Sequence, residues 1–526
     1  MTRLTLSRAE LVSLALLLIY SVVTGYFVLT SHYLFSDEAY VVWHMHDSPA
    51  IFDIFHSQGR SLGGLFLLFL FRHFGTVAGL PIIRFVSLAG WLVTVLYLFF
   101  MLRRCVVEGI SGINRSFAAL YTLFTAASLS FAIYTGWAVC AEAFVPALAA
   151  LYAGFSLHRG LRLQPHPRLL SRVVYLKVVF AGLVSLFFYQ SLYPLMLLPF
   201  FIAYVSHRDK EAFARLRTAV VVHLIIYLLY YGLFVAVLKM THTVASNRTS
   251  VSHDVLRKIG FFFSFPLNQA FNLNIPFNTS GILSQAAFPV LAIGWIVWLF
   301  VRDRQRKASA KLRYLLVVAG CWMLSFLPQL IAQENFGPYR TMLPLSLLVF
   351  ITLAAIPESL LKTAKASQLF AVVFGGLLLL RGLYNYVHFI ARPLAFEYDA
   401  IQSYALTHYS PAIRRIVVIR PGENGFASLS GMENYKDEFG MPSSAKDWVP
   451  EGLIKQVLLE KGVGLETLQK IPVDQYTEET RAEISGLADP GVLLMDIPAI
   501  LKERYARNGY RFAYRPHPSL CRNSSS

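Results

Sequence analysis

Residues 11–30, LVSLALLLIYSVVTGYFVLT, carry no charge and lead within a few residues into His32-Tyr33 and then Ser36-Asp37-Glu38-Ala39-Tyr40. About 20 apolar residues in a helix cover the roughly 30 Å core of a bilayer. Arg3 and Arg8 precede the run. A signal peptide has a shorter apolar core and a small-residue cleavage site. The stretch therefore reads as an uncleaved first span with its N-terminus in the cytosol. The acidic pair behind it is the informative part. Two adjacent carboxylates at a membrane surface cost solvation free energy and add nothing to anchoring, which marks them as functional candidates.

The pattern repeats along the chain. Of 526 residues, 56% are hydrophobic and 15% charged, far less charge than a water-soluble protein of this size carries. Apolar runs recur at 82–102, 117–134, 138–157, 174–190, 191–205, 217–239, 284–301, 313–332, 340–356 and 368–390. They do not alternate residue by residue, so a β-barrel is excluded. Residues 62–71 are too short to cross and suit a re-entrant or interfacial helix in the first outer loop. The expected fold is an all-α polytopic membrane protein of about 11 transmembrane helices over residues 1–390.

Charge supports that arrangement. The net +17 is not a nucleic-acid signature, because residues 391–526 hold 16 Lys/Arg against 17 Asp/Glu. The excess lies in short loops, around Arg103-Arg104, Arg159 to Arg172, His207 to Arg217 and Arg302 to Arg313. Leaving 62–71 outside the count of spans puts all of these in the cytosol, as the positive-inside bias requires. The loop 31–81, the turn 134–142, the loop 240–283, the turn 333–340 and residues 391–526 then face outward.

Residues 391–526 change character. A charged helical stretch at 396–409 precedes a β-rich run, 413–420, that ends at Pro421-Gly422. A second strand at 492–495, a helix at 498–508 and a further run at 510–514 follow. This alternation predicts a small α/β domain outside the membrane. Residues 422–450, rich in Gly, Ser and Pro, read as a loop.

The candidate chemistry sits on the outer face. A partly desolvated Asp37 near a cation can act as a general base on an acceptor hydroxyl, with Glu38 beside it. Helix capping by Ser36 and Asp37 is the alternative. Arg60 offers a planar fork of donors suited to a phosphate, and His56 lies close to it in sequence. Glu142 is the one acid between Glu108 and Asp209, either a second active-site carboxylate or a helix-dipole partner. Tyr339 and Arg340 close a polar turn, where an outward arginine suits a phosphate or snorkels at a helix end. Arg257 and Lys258, beside Phe261-Phe262-Phe263, suit a lipid headgroup or ordinary interfacial anchoring. His44 and His46 would diverge on a helix, so no histidine metal site is assigned. No cofactor is assigned either; a divalent cation held by Asp37 and Glu142 is left open. Cys105, Cys140, Cys321 and Cys521 show no disulfide framework.

The order of these features resembles the GT-C superfamily of membrane glycosyltransferases. A first span leads to Ser36-Asp37-Glu38-Ala39-Tyr40, then to Gly59-Arg60 before a short apolar helix. Phe74-Gly75 and Leu80-Pro81-Ile82-Ile83-Arg84-Phe85 then open a span that ends at Leu102-Arg103-Arg104. The resemblance covers roughly residues 1–160 and is nearest in style to bacterial serotype-converting glucosyltransferases and protein mannosyltransferase-like enzymes. It lacks the Pro-Pro after the short helix and the Arg-x-Asp form of some members. It implies a polyprenyl-phosphate-sugar donor and a glycan, lipid or protein acceptor. It also implies a bacterial cytoplasmic membrane, with Asp37 as the acid of the first outer loop and Arg60 and Arg340 at the lipid phosphate. A lipid-linked sugar flippase and a glycan polymerase or ligase are the rival readings.

Overall fold

The computed structural model describes residues 6–107, 114–163, 172–273, 282–302, 304–422, 438–439, 441–484 and 489–508. Nearly all of the described chain before residue 409 is helical. Each apolar run read from the sequence falls on a helix or a pair of short helices. Six helices are long and apolar enough to cross a membrane, or seven if the bent pair Arg115–Ala127 and Leu129–Gly136 forms one span. The count of about eleven exceeds this because several runs are broken. Residues 191–205 divide into a 3-10 segment containing Pro194 and the helix Leu198–His207. Residues 313–332 divide between Ala308–Leu324 and Leu327–Ile331. Val22, Phe180, Leu228 and Leu380 are exposed on their helices, an apolar surface of the kind a membrane or a partner protein covers.

Local chemistry sets the first helix. Ser7 and Glu10 form a capping box at the start of Arg8–Thr30, satisfying two amides that a helix end leaves open. Glu10 then turns inward and meets Arg103 Nε at 2.9 Å, both side chains buried. The bundle interior is aromatic, as at Phe124 and Phe350, whose rings stack 4.0 Å apart. Residues 62–71 lie within the helix Ser61–Phe74, 14 residues long.

The C-terminal region is built on a three-stranded parallel sheet. Its strands are β1 (Arg415–Arg420), β2 (Val473–Thr477) and β3 (Val492–Asp496), in the order β2-β1-β3. Ile416 pairs with Val473 on one side and Leu493 on the other. Parallel neighbours need crossovers, and the helices Pro450–Glu460 and Leu465–Lys470 lie between β1 and β2. The expected strand at 510–514 lies outside the described residues. Residue 391, the expected domain boundary, falls within helix: helical turns run unbroken from Ala364 to His408, with π-type turns at Val387–Ala391.

Pro450–Glu460 packs on the short helix Asp37–Trp43 of the first outer loop. A Cβ at Gly452 would collide with the Ala39 carbonyl, so this close approach requires glycine. Glu460 accepts the Val77 N–H at 2.7 Å, and Ser443 Oγ accepts the Ser36 N–H at 3.1 Å. The C-terminal region is thereby docked onto the loop that carries the acidic pair.

Candidate active site

Ser36 adopts φ 47°, ψ −115°, a backbone region that costs a non-glycine residue on the order of 1–3 kcal/mol and recurs at functional sites. Its side chain makes no cap bond to the helix it precedes, so the capping reading of Ser36 does not hold. Strain at Ser36 sends the next two side chains in different directions. Asp37 stays half-buried, and its Oδ1 accepts the indole N–H of Trp448 at 2.9 Å.

Glu38 is fully buried. Its Oε2 accepts from Phe35 N at 2.7 Å and from Arg84 at 2.5 Å, and its Oε1 accepts from Ala138 N at 2.5 Å. Arg84, equally buried, lies 3.6 Å over the Tyr33 ring and donates to the Tyr33 carbonyl at 2.8 Å. Both oxygens of Glu38 are thus engaged, Oε1 by the 134–142 turn and Oε2 by Arg84 and the loop's own backbone. This corrects the expectation that Glu38 faces substrate beside Asp37.

Arg60 and Glu142, read from separate loops, form an ion pair. Gly59, at φ 75°, supplies the turn that aims Arg60, and a side chain there would strike the Tyr230 hydroxyl. Tyr230 instead donates to the Gly59 carbonyl at 2.9 Å, and Gln190 Nε2 donates to the Gln58 carbonyl at 2.9 Å. The Arg60 guanidinium lies 4.6 Å over the Tyr189 ring. Glu142 Oε2 is buried and makes no hydrogen bond to any described residue.

Arg340 is 7% exposed and pairs with Glu438 Oε1 at 3.1 Å. The two Glu438 oxygens also accept the backbone amides of Tyr339, at 2.6 Å, and Arg340, at 3.1 Å. Tyr134 donates its hydroxyl to the Arg340 carbonyl. The Arg340 guanidinium lies 4.6 Å over Trp137, whose other contact is a stack on Phe35 at 4.6 Å. Phe35, Trp137 and Arg340 form one continuous stack that links the acidic loop to the second arginine. Glu438 escaped the sequence reading because it lies in the segment read as a Gly/Ser/Pro-rich loop.

Arg60 and Arg340 line one cavity of about 640 Å³, a size typical of small-molecule sites. Tyr189, Tyr227, Tyr230, Phe234 and Phe336 form much of its wall. Arg248 also lines it, 3.6 Å from Glu334 and half-exposed. Arg248 lies in the same loop, 240–283, as Arg257 and Lys258, and nothing local in the sequence sets it apart from them. The cavity joins three guanidinium groups, each paired with a carboxylate, to an apolar, aromatic lining.

The other expected residues lie elsewhere. His56 is buried between Ser61 Oγ at 2.9 Å and Thr241 Oγ1 at 3.0 Å, where it ties the first loop to a span. Arg257 and Lys258 line a separate polar pocket of about 580 Å³. Lys258 donates to the carbonyls of Glu334 at 2.8 Å and Gln329 at 3.4 Å. Burial, with Arg257 alongside, holds its ammonium below the ordinary lysine range. His44 and His46 each bond a backbone carbonyl one turn back. Among the described residues, no group of three or more His, Cys, Asp or Glu is placed to hold a metal ion. Cys140 is buried, and Cys521 lies outside the described residues.

No family model matches the chain, and no curated protein matches it in sequence. Among solved structures it is similar to the Archaeoglobus fulgidus oligosaccharyltransferase tethered to an acceptor peptide containing the NVT sequon. The TM-score is 0.36 and the identity 15%, over 81% of this chain and 64% of that one. The chain thus spans less than two thirds of that protein's length. A likeness of this degree carries no argument about activity.

Proposed function

We propose that the chain is a membrane glycosyltransferase. It moves a sugar from a polyprenyl-phosphate donor to an acceptor hydroxyl on the outer face of a cytoplasmic membrane. The observation that carries this reading is the aromatic cavity in which Arg60 and Arg340 sit, joined to the acidic loop through Phe35 and Trp137.

In this reading the donor phosphate lies between Arg60 and Arg340, and its prenyl chain follows the aromatic wall. Arg60 has five N–H donors. Glu142 and the Phe188 carbonyl, 3.5 Å from Nε, engage two of its nitrogens, which leaves donors for a phosphate. Asp37 takes the proton of the acceptor hydroxyl as the oxygen forms its bond to the anomeric carbon. The bond from that carbon to the phosphate oxygen breaks, and its electron pair leaves with the lipid phosphate. Attack from the opposite side inverts the configuration. The two guanidinium groups hold the charge that develops on the leaving group. Glu38 acts as a positioning residue, Glu142 orients Arg60, and Tyr339 places Arg340. A divalent cation would find Glu142 Oε2 as one oxygen ligand.

Membranes containing the chain, supplied with radiolabelled polyprenyl-phosphate sugars, test this directly. Label appearing in a glycan, lipid or protein product supports it. Label that stays on the prenyl carrier with every donor overturns it. Arg248 at the cavity wall favours one second reading, a ligase or polymerase that transfers whole glycans, and the mass of the product separates the two.

A further inference from the structure

Trp448 is 40% exposed, whereas the other six tryptophans are buried or half-buried. An indole left in contact with water forgoes the burial that holds such rings inside proteins. Its position is nevertheless fixed from several sides. Its Nε1–H donates to Asp37 Oδ1 at 2.9 Å. The backbone leading to it is pinned at Ser443 and Ser444, whose amides donate to the buried Glu397 carboxylate at 2.8 Å and 2.9 Å. Arg420 Nη1 donates to the Ala445 carbonyl at 3.1 Å. The next residue, Val449, is fully buried just ahead of the helix Pro450–Glu460. The ring therefore stands on a rigid support beside the candidate base, the preorganisation that a binding surface needs.

With its N–H engaged, the indole offers its π-face, which is electron-rich. Lys446 Nζ lies 5.6 Å over the ring, and the exposed Asp447 adjoins it in the chain, so charged groups stand at its rim. The face of the helix Asp37–Trp43 that carries Asp37 continues to Tyr40 and His44, at i+3 and i+7. Their rings stack 4.1 Å apart, and both residues are half-buried. His44 lies about 10 Å along the helix axis from Asp37. Aromatic rings thus stand both at the acid and one to two turns along from it.

A sugar ring matches such a surface. The C–H bonds on one of its faces are apolar and weakly positive and rest on a π-face, while its hydroxyls reach outward to charged groups at the rim. An acyl chain would gain nothing from Lys446 and Asp447, and a peptide is held mainly by backbone pairing or apolar pockets. We infer that Trp448 is the platform of a glycan-binding site, and that the acceptor of the proposed transfer is therefore a glycan. The second clause rests on the reading of Asp37 as the base, which places whatever stacks on Trp448 at the acceptor position. The receiving sugar lies on Trp448, and the sugars behind it run toward Tyr40 and His44.

Two variants divide the roles of Trp448. Trp448→Phe keeps a ring but loses the donor to Asp37, and Trp448→Gln keeps a donor but loses the ring. The full chain in detergent micelles, with no donor lipid present, is applied to an array of defined oligosaccharides of hexoses, hexosamines and deoxyhexoses. Peptides and phospholipids share the surface. Wild type is expected to bind oligosaccharides, Trp448→Gln to bind them about tenfold more weakly, and Trp448→Phe to stay within about threefold of wild type. Tyr40→Ser reads the second aromatic pair independently of residue 448, and should weaken the longer oligosaccharides more than the shortest. In the transfer assay, Trp448→Gln should raise the KM for the bound oligosaccharide, whereas Trp448→Phe should lower turnover at saturating acceptor. Wild type that binds no oligosaccharide overturns the inference. So does binding to peptides or phospholipids alone, or glycan binding that is equal in wild type, Trp448→Gln and Tyr40→Ser. Glycan binding that follows the rings, with no sugar transferred from any donor, would uphold the site and overturn the transfer reading instead.

Discussion

Trp448 donates its indole N–H to Asp37 across 2.9 Å, joining residues 411 positions apart. The acid that opens the first outer loop is therefore oriented by the part of the chain that lies beyond the last span. Ser443 on the Ser36 amide and Glu438 on Arg340 extend the same dependence. The candidate site is an interface between the helical bundle and the C-terminal region.

Asp37→Asn keeps the size of the side chain and its bond to Trp448 but removes the base. Sugar transfer should fall on the order of 10²–10⁴-fold, with protein level and melting temperature unchanged. Transfer assays on membranes matched for protein content check this. Undiminished transfer would leave Asp37 no part in the chemistry.

Glu38 and Arg84 are a fully buried pair. Removing one charge strands the other, at a cost of about 3–5 kcal/mol. Glu38→Gln and Arg84→Met should each lower the melting temperature in detergent. The double variant should recover part of the loss. Single variants that melt like wild type would show the pair to be dispensable.

Arg60→Lys retains a positive charge but loses the planar fork over Tyr189 and toward Glu142. Transfer should drop about 10–100-fold, because a point charge does not replace a bidentate donor. The melting temperature should fall less than in the Glu38 and Arg84 variants, because lysine keeps a positive charge beside Glu142. Kinetics at saturating and limiting donor would separate a loss of binding from a loss of turnover.

Gly452→Val places a side chain against the Ala39 carbonyl and Trp43. It should loosen the C-terminal region from the Asp37–Trp43 helix, raise proteolytic sensitivity in the C-terminal region, and reduce transfer. Gel filtration in detergent should show the bundle still folded. Equal protease resistance in variant and wild type would contradict this docking.

The sequence was legible where the signal is local. Apolar runs of span length, the short helix behind Arg60, β1, β3 and the helix after β3 all follow from nearby residues. β2, Val-Asp-Gln-Tyr-Thr, was missed because it is half-buried throughout and shows no alternation. Glu438 was missed for a different reason. Nothing near it in sequence announces a carboxylate that must meet Arg340, 98 residues away. The acidic pair could be found by its position after the first span. Its division of labour could not, because it depends on Ala138, Arg84 and Trp448, which only folding brings together.

The dependence of Asp37, Ser36 and Arg340 on residues 438–448 has a consequence for biosynthesis. Chains emerge N-terminus first, so the spans insert while the acid of the first loop still lacks its partners. A nascent chain stalled before residue 438 would carry every arginine of the cavity and both members of the Asp37-Glu38 pair, yet hold neither Asp37 nor Arg340 in register. On the proposed function, competence then arrives only after the last span, once residues 438–448 have been made.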